Sequence, residues 1–159
     1  HPRVRRQRQM CIRDRLTVAD MNAKCRRLDD LGLVVIDYLQ LMSTGRRSDN
    51  RVQEVSEITR SLKIMAKELN IPVIVLAQLN REVEKRAGKE AGVPRVSDLR
   101  DSGSIEQDAD QIMLLYRPFA CDRDADPKEA KVIIGKNRFG NTGHINLEWD
   151  AAATTYREV

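Results

Sequence analysis

Leu33-Val34-Val35-Ile36-Asp37-Tyr38-Leu39-Gln40-Leu41-Met42 is the stretch on which the fold turns. Four consecutive apolar residues fit a strand covered on both faces, as in parallel sheets, rather than a half-exposed strand whose apolar residues alternate. A second such run is Val73-Ile74-Val75-Leu76. Between the two, Val52, Val55, Ile58, Leu62, Met65 and Leu69 recur at helical spacing from Arg51 onward, and Asn70-Ile71-Pro72 ends that helix. Strand, long helix, strand is the unit of a right-handed parallel crossover, so the predicted fold class is α/β.

Outward from this unit, Thr17 with Asp20 three residues later caps a helix predicted from about Val18 to Asp29, with Gly32 as its stop. Thr44 to Asn50 is polar and reads as a loop. Residues 85–97, rich in Gly, Lys, Glu and Pro, predict a mobile surface loop before a third apolar run, Ile112 to Tyr116, and residues 117–129 read as loop again. The chain then changes style. Val132 to Gly135, a turn over Arg138 to Gly143, Ile145 to Trp149 and Thr154 to Arg157 are short apolar stretches divided by turn residues, the pattern of antiparallel strands.

The 159 residues, 41% hydrophobic and 33% charged, fit one domain with a real core. The net charge of +4 is unevenly spread. Residues 1–15 hold six arginines against Asp14, a local +5, which leaves −1 for residues 16–159. We therefore divide the chain into a basic tail, 1–15, and a folded part, 16–159. The tail, whose Met10 to Arg15 run looks like translated adaptor sequence, reads as a disordered end or a foreign scar, with a phosphate-contacting arm as the other reading. No apolar run reaches the roughly 18 to 20 residues a membrane span needs, and no leader-like apolar region follows the basic start, so a cytoplasmic protein is expected. Cys11, Cys25 and Cys121 form no CxxC pair, so free thiols are expected. With His1 and His144 the only histidines, a histidine metal site or a Ser-His-Asp triad is excluded.

An acid directly after four buried strand residues is the pattern of a Walker B strand, whose carboxylate holds Mg²⁺ or its waters beside phosphates. Asp37 stands there, although an aspartate after a strand serves equally as a turn residue. Lys136 and Arg138, two apart on a strand, share a face and can converge on one anion, or they can form a solvated basic hairpin. Glu106, Asp108 and Asp110, spaced by two, share no helical face, so capping or subunit contacts suit them better than a metal cluster.

Four segments together say more. They are Ile36 to Met42, Ala77-Gln78-Leu79-Asn80-Arg81, the run Asp98-Leu99-Arg100-Asp101-Ser102-Gly103-Ser104-Ile105-Glu106-Gln107-Asp108-Ala109-Asp110, and Gly135-Lys136-Asn137-Arg138-Phe139-Gly140. In this order and spacing they resemble the replicative DNA helicases of the bacterial DnaB type, over about residues 16–159. The resemblance implies a RecA-like P-loop ATPase fold, parallel core strands with crossover helices followed by antiparallel strands. It also implies an ATP- and Mg²⁺-dependent 5′ to 3′ helicase acting as a homohexamer on single-stranded DNA, with a primase and a loader as further partners. By the same resemblance Asp37 is the Walker B acid for Mg²⁺ with the nucleotide, and Gln78 is the polar sensor of the γ-phosphate. Lys136 and Arg138 become the finger pair that reaches a neighbouring subunit's nucleotide. Arg100, Asp101 and Gly103 become the channel loop on the DNA backbone, with Asp101 where the family carries Glu.

No G-x-x-x-x-G-K-S/T occurs in the sequence. The expectation is therefore the second half of the motor domain, inactive alone, with the phosphate-loop strand missing between the strands that end near Gln78 and Tyr116 and two edges left open to aggregation. Two rivals remain in view. A RecA-like recombinase or repair ATPase shares the acid and the glutamine but should lack the Asp98 to Asp110 run, and a non-catalytic DNA- or ring-binding module is favoured by the absent cradle.

Overall fold

The computed structural model describes residues 16–45, 50–86, 92–99 and 102–159. Helix α1, Val18–Cys25, starts as the sequence predicts. Asp20 N donates to Thr17 Oγ1 at 3.2 Å and Thr17 Oγ1 donates to Asp20 Oδ2 at 2.6 Å, a reciprocal cap that holds the Asp20 carboxyl below its usual range. The helix ends one turn short of the predicted Asp29. Its buried face is only Met21 and Cys25, and Leu28 is exposed, so a further turn would bury nothing.

Strands β1, Val34–Ile36, and β2, Val73–Val75, pair in parallel, Val34 opposite Val73 and Ile36 opposite Val75. Helix α2, Arg51–Leu69, connects them. Asn50 starts it, its side chain accepting from Val52 N at 3.0 Å and Gln53 N at 3.4 Å, and Asn70 ends it in the left-handed region at φ 51°. The periodic residues Val55, Ile58, Leu62 and Met65 are buried against Met21, Cys25, Ile36, Leu39 and Met42. Each such side chain contributes roughly 1.5–3 kcal/mol of burial.

One expectation fails here. The run at Leu33 to Ile36 predicts burial on both faces, but Val35 is 57% exposed and its partner Ile74 49%. Among the described residues α1 and α2 cover one face of β1 and β2, and no element lies on the other. The apolar residues of that second face, Leu33, Val35, Ile74 and Leu76, are all exposed.

The second sheet is antiparallel in the order β3-β4-β5-β6: Gln111–Tyr116, Glu129–Asn137, Gly143–Asp150 and Thr155–Glu158. A short helix, α3, Ser102–Asp108, precedes it. Residues 117–129, predicted as loop, include the one-turn helix α4, Pro118–Cys121, which Pro118 can start because its first turn needs no N–H. Arg117 lies 4.2 Å over the Trp149 ring, and Trp149 meets Tyr156 at 4.8 Å, so aromatic contacts tie the strand ends. β2 and β3 belong to different sheets. The two sheets meet through the Leu79–Leu99 bridge and through Leu99, Ile112 and Leu114, packed on Ala77 and Leu79. Cys25, buried, and Cys121, exposed, are free thiols. No helix among the described residues is long and apolar enough to cross a membrane.

Candidate functional site

The parallel pair is extended one step beyond its last residues: Leu76 N donates to Ile36 O at 2.9 Å. The chain then leaves β1 through Asp37 and turns at once into a short 3₁₀ segment, Leu39–Leu41, where Leu39 N donates back to Leu76 O at 2.8 Å. Asp37 and Gln78 therefore stand at the carboxyl ends of adjacent parallel strands, both exposed. Open α/β sheets bind their ligands at this edge. Asp37 offers a carboxylate suited to a hard cation that keeps several waters, and Gln78 offers an amide that both donates and accepts. Among the described residues no three His, Cys, Asp or Glu cluster to hold a metal ion by themselves, so Asp37 would share a cation with a ligand.

Lys136 and Arg138 stand on the other sheet, at the end of β4, where Lys136 pairs with Ile112. Both heads turn to the carboxyl end of α3. Lys136 Nζ donates to Glu106 O, Arg138 Nη2 donates to Gln107 O at 2.7 Å, and Arg138 N donates to Asp110 O at 2.9 Å. The expectation of a common face holds although Arg138 lies just past the strand. Their acceptors in this chain are carbonyls of the last turn of a helix, which lack intrahelical N–H donors and carry partial negative charge.

Arg100 and Asp101 lie outside the described residues. Gly103, expected on a loop, is in the first turn of α3 and exposed, with open space where a Cβ would stand. Sequence periodicity gave no hint of α3, because the helix is short and its register is set by contacts to α2.

Those contacts were missed from sequence. Ser56 and Ser104 hydroxyls are hydrogen-bonded, Thr59 Oγ1 donates to Asp108 Oδ2 at 2.6 Å, and Lys63 Nζ pairs with Asp110 Oδ2. Asp108 and Asp110 thus face one turn of α2 each, since α3 stops at Asp108 and the helical spacing no longer applies. The signal was the stripe Ser56, Thr59, Lys63, spaced by three and four on a helix whose other faces are apolar or charged. Lys63 first, then the charges of Arg138 and Lys136, hold the Asp110 carboxyl below its usual range. Closer to β1, Glu54 is buried with Arg51 Nη1 at 2.5 Å from its Oε2, and the same guanidinium donates to Gln40 O at 3.1 Å.

A parallel strand pair joined by a crossover helix and continued by an antiparallel sheet defines part of an α/β core of the RecA-like fold class. The comparisons agree. A solved ATPase domain superimposes with TM-score 0.81 at 37% identity, covering 90% of this chain and 51% of that one. A DnaB-like replicative helicase, solved in a study of its interactions with primase, gives TM-score 0.82 at 37% identity over 90% of this chain and 35% of that one. The model of the DnaB-like helicase C terminal domain matches residues 3–158, and the chain belongs to that family. It is 47% identical over 149 residues to the replicative DNA helicase DnaB of Leifsonia xyli subsp. xyli, covering 91% of this chain and 32% of that protein. It is 53% identical over 137 residues to the replicative DNA helicase DnaB of Mycobacterium leprae, covering 83% of this chain and 22% of that one. The chain thus spans a third or less of these relatives.

Proposed function

We propose that residues 16–159 serve as the sensor, finger and DNA-loop half of the motor of an ATP-dependent replicative helicase. The helicase is a cytoplasmic homohexamer that moves 5′ to 3′ on single-stranded DNA and works with a primase and a loader. The observation that carries this reading is the separation of the chemistry. Asp37 and Gln78 share one strand edge, whereas Lys136 and Arg138 lie on another sheet and turn to α3. Two half-sites on separate sheets suit a nucleotide shared between neighbouring subunits.

In this role Asp37 would hold Mg²⁺ with the nucleotide, and the ion would supply charge neutralisation at the phosphates. Gln78 donates to a phosphate oxygen or accepts from the attacking water without adding charge. Lys136 and Arg138, offered by the next subunit, offset charge as it develops on the transferred phosphoryl group. Arg100, Asp101 and Gly103 line the DNA path, where backbone contacts give affinity without reading sequence.

The test uses the full-length protein bearing these residues. Asp37→Asn and Arg138→Ala are each expected to lower DNA-stimulated ATP turnover by at least about a hundredfold, the scale of a lost metal ligand or trans arginine, with hexamer assembly retained. Turnover and unwinding at wild-type levels in both variants would leave only a passive ring- or DNA-binding module.

A further inference from the structure

The finger pair is already engaged within its own chain. The carbonyls of Glu106 and Gln107 take one cation each, and Asp110 Oδ1 lies 3.8 Å from Arg138 Nη1 while Oδ2 is paired with Lys63 of α2. A helix carboxyl end carries partial negative charge, and Asp110 adds a full one. This combination competes with any phosphate for the same two heads. It is also anchored, because the Ser56–Ser104 and Thr59–Asp108 bonds fix α3 to α2, the helix that joins the strands carrying Asp37 and Gln78.

We propose that Asp110 is a positioning residue for the finger pair: with the last carbonyls of α3 it forms a dock that holds Lys136 and Arg138 in cis, so that the pair must leave this dock to serve the neighbouring subunit's nucleotide. The proposal rests on the reading of Lys136 and Arg138 as a trans finger. Lys63 sets the strength of the dock, because it draws the Asp110 carboxylate toward α2 and away from Arg138. Removing the carboxylate and removing Lys63 therefore act in opposite directions.

The experiment measures steady-state ATP turnover of the full-length hexamer without DNA. Asp110→Asn keeps the shape and the backbone bond to Arg138 but removes the charge. It is expected to raise kcat about two- to five-fold, the size of one partly exposed charge contact, with KM for ATP unchanged because the pair acts on charge developed in the transition state. Asp110→Glu restores a carboxylate and should return kcat toward the parent. Lys63→Gln should lower kcat, as Asp110 then acts on Arg138 alone. Thr59→Val loosens the bond that anchors α3 on α2, so it should lower the melting temperature and shift kcat in the direction of Asp110→Asn but by less, whereas Arg26→Ala, which breaks the exposed pair with Glu68, should leave kcat unchanged. If Asp110→Asn and Lys63→Gln shift kcat in the same direction, or if neither shifts it, the dock is overturned. Should Asp110→Asn not assemble, the sign of the Lys63→Gln effect decides alone. Arg138→Ala distinguishes the two levels: turnover surviving that change removes the finger reading itself, whereas its loss with an unresponsive Asp110→Asn removes only the dock.

Discussion

Leu76 N–H donates to the Ile36 carbonyl at 2.9 Å, one step beyond the last paired residues of β1 and β2. This bond keeps the two strands side by side up to the point where Asp37 leaves, and so sets Asp37 and Gln78 on one edge. The finger pair is on the other sheet. Mixing therefore gives a sharp expectation. Full-length Asp37→Asn and Arg138→Ala proteins, each inactive, should regain turnover when co-assembled, because a heterologous ring interface takes one residue from each neighbour and roughly a quarter of the interfaces would then be intact. Turnover of the mixed rings no higher than that of either parent would place both residues in a single-subunit site.

The chain by itself, which has no G-x-x-x-x-G-K-S/T, is expected to release no phosphate from ATP above the buffer rate, with or without single-stranded DNA. Malachite-green phosphate release reads this directly, and DNA-stimulated turnover would mean that a cradle exists in a form the sequence does not show.

Glu54 predicts an acid-sensitive fold. It is buried, and the Arg51 hydrogen bond above all, with Arg51's charge and bonds from Thr44 and Ser43, holds its carboxyl below the usual glutamate range. A folded-state pKa below the unfolded one stabilises the ionised form. That contribution is complete above the unfolded value of about 4.3 and is lost as pH falls through the lower folded value. Glu54→Gln should cost about 1–2 kcal/mol at neutral pH, as for a lost charged hydrogen bond to a partly exposed partner, and almost nothing in acid. Urea midpoints at the two pH values test it, and an equal loss at both would assign the effect to packing.

Gly135, in the Gly135 to Gly140 segment, is set by space and not by backbone angle. A Cβ there would lie 2.6 Å from Val96 Cγ2, where β3 and β4 shift register between Ile112 and Met113. Valine has few rotamers with which to yield. Gly135→Ala should lower stability by about 1–3 kcal/mol, the usual scale of overpacking, and Val96→Ala in the same chain should recover part of it. Additive losses in a thermal double-mutant cycle would show that the two do not meet.

The uncovered face of β1 and β2 should make the chain associate. Leu33, Val35, Ile74 and Leu76 form a contiguous apolar patch, and Met113 and Leu115 are exposed on β3. Val35→Thr with Ile74→Thr should reduce light scattering and hydrophobic-dye binding while leaving the unfolding midpoint nearly unchanged, because threonine suits a strand and neither side chain is in the core. A large fall in the midpoint would mean that the face is packed.

Much of this molecule was legible from one sequence because its strongest signals are local and periodic. The α2 stripe from Val55 to Met65, the two apolar strands around it and the Thr17–Asp20 cap each depend on neighbours within a few residues, and the structure has them in place. The antiparallel end was equally readable from its turn residues. Asp37, Gln78, Lys136 and Arg138 stand out in the sequence as a set, through their order and spacing, and the roles given to them are proposals.

Tertiary structure alone decided the rest. Leu33 to Ile36 predicted two covered faces, since hydrophobicity records what a strand can bury and not what is present to bury it; among the described residues nothing covers one side. α3 carries no periodic signal of its own and takes its place from the hydroxyl and charge contacts of Ser56, Thr59 and Lys63, which lie more than forty residues away in sequence. The spacing of Lys136 and Arg138 determined that both cations face one way. Only the fold determined that the acceptors they meet in this chain are carbonyls at the end of its own α3, because a long side chain turns to whatever acceptor lies within reach in space.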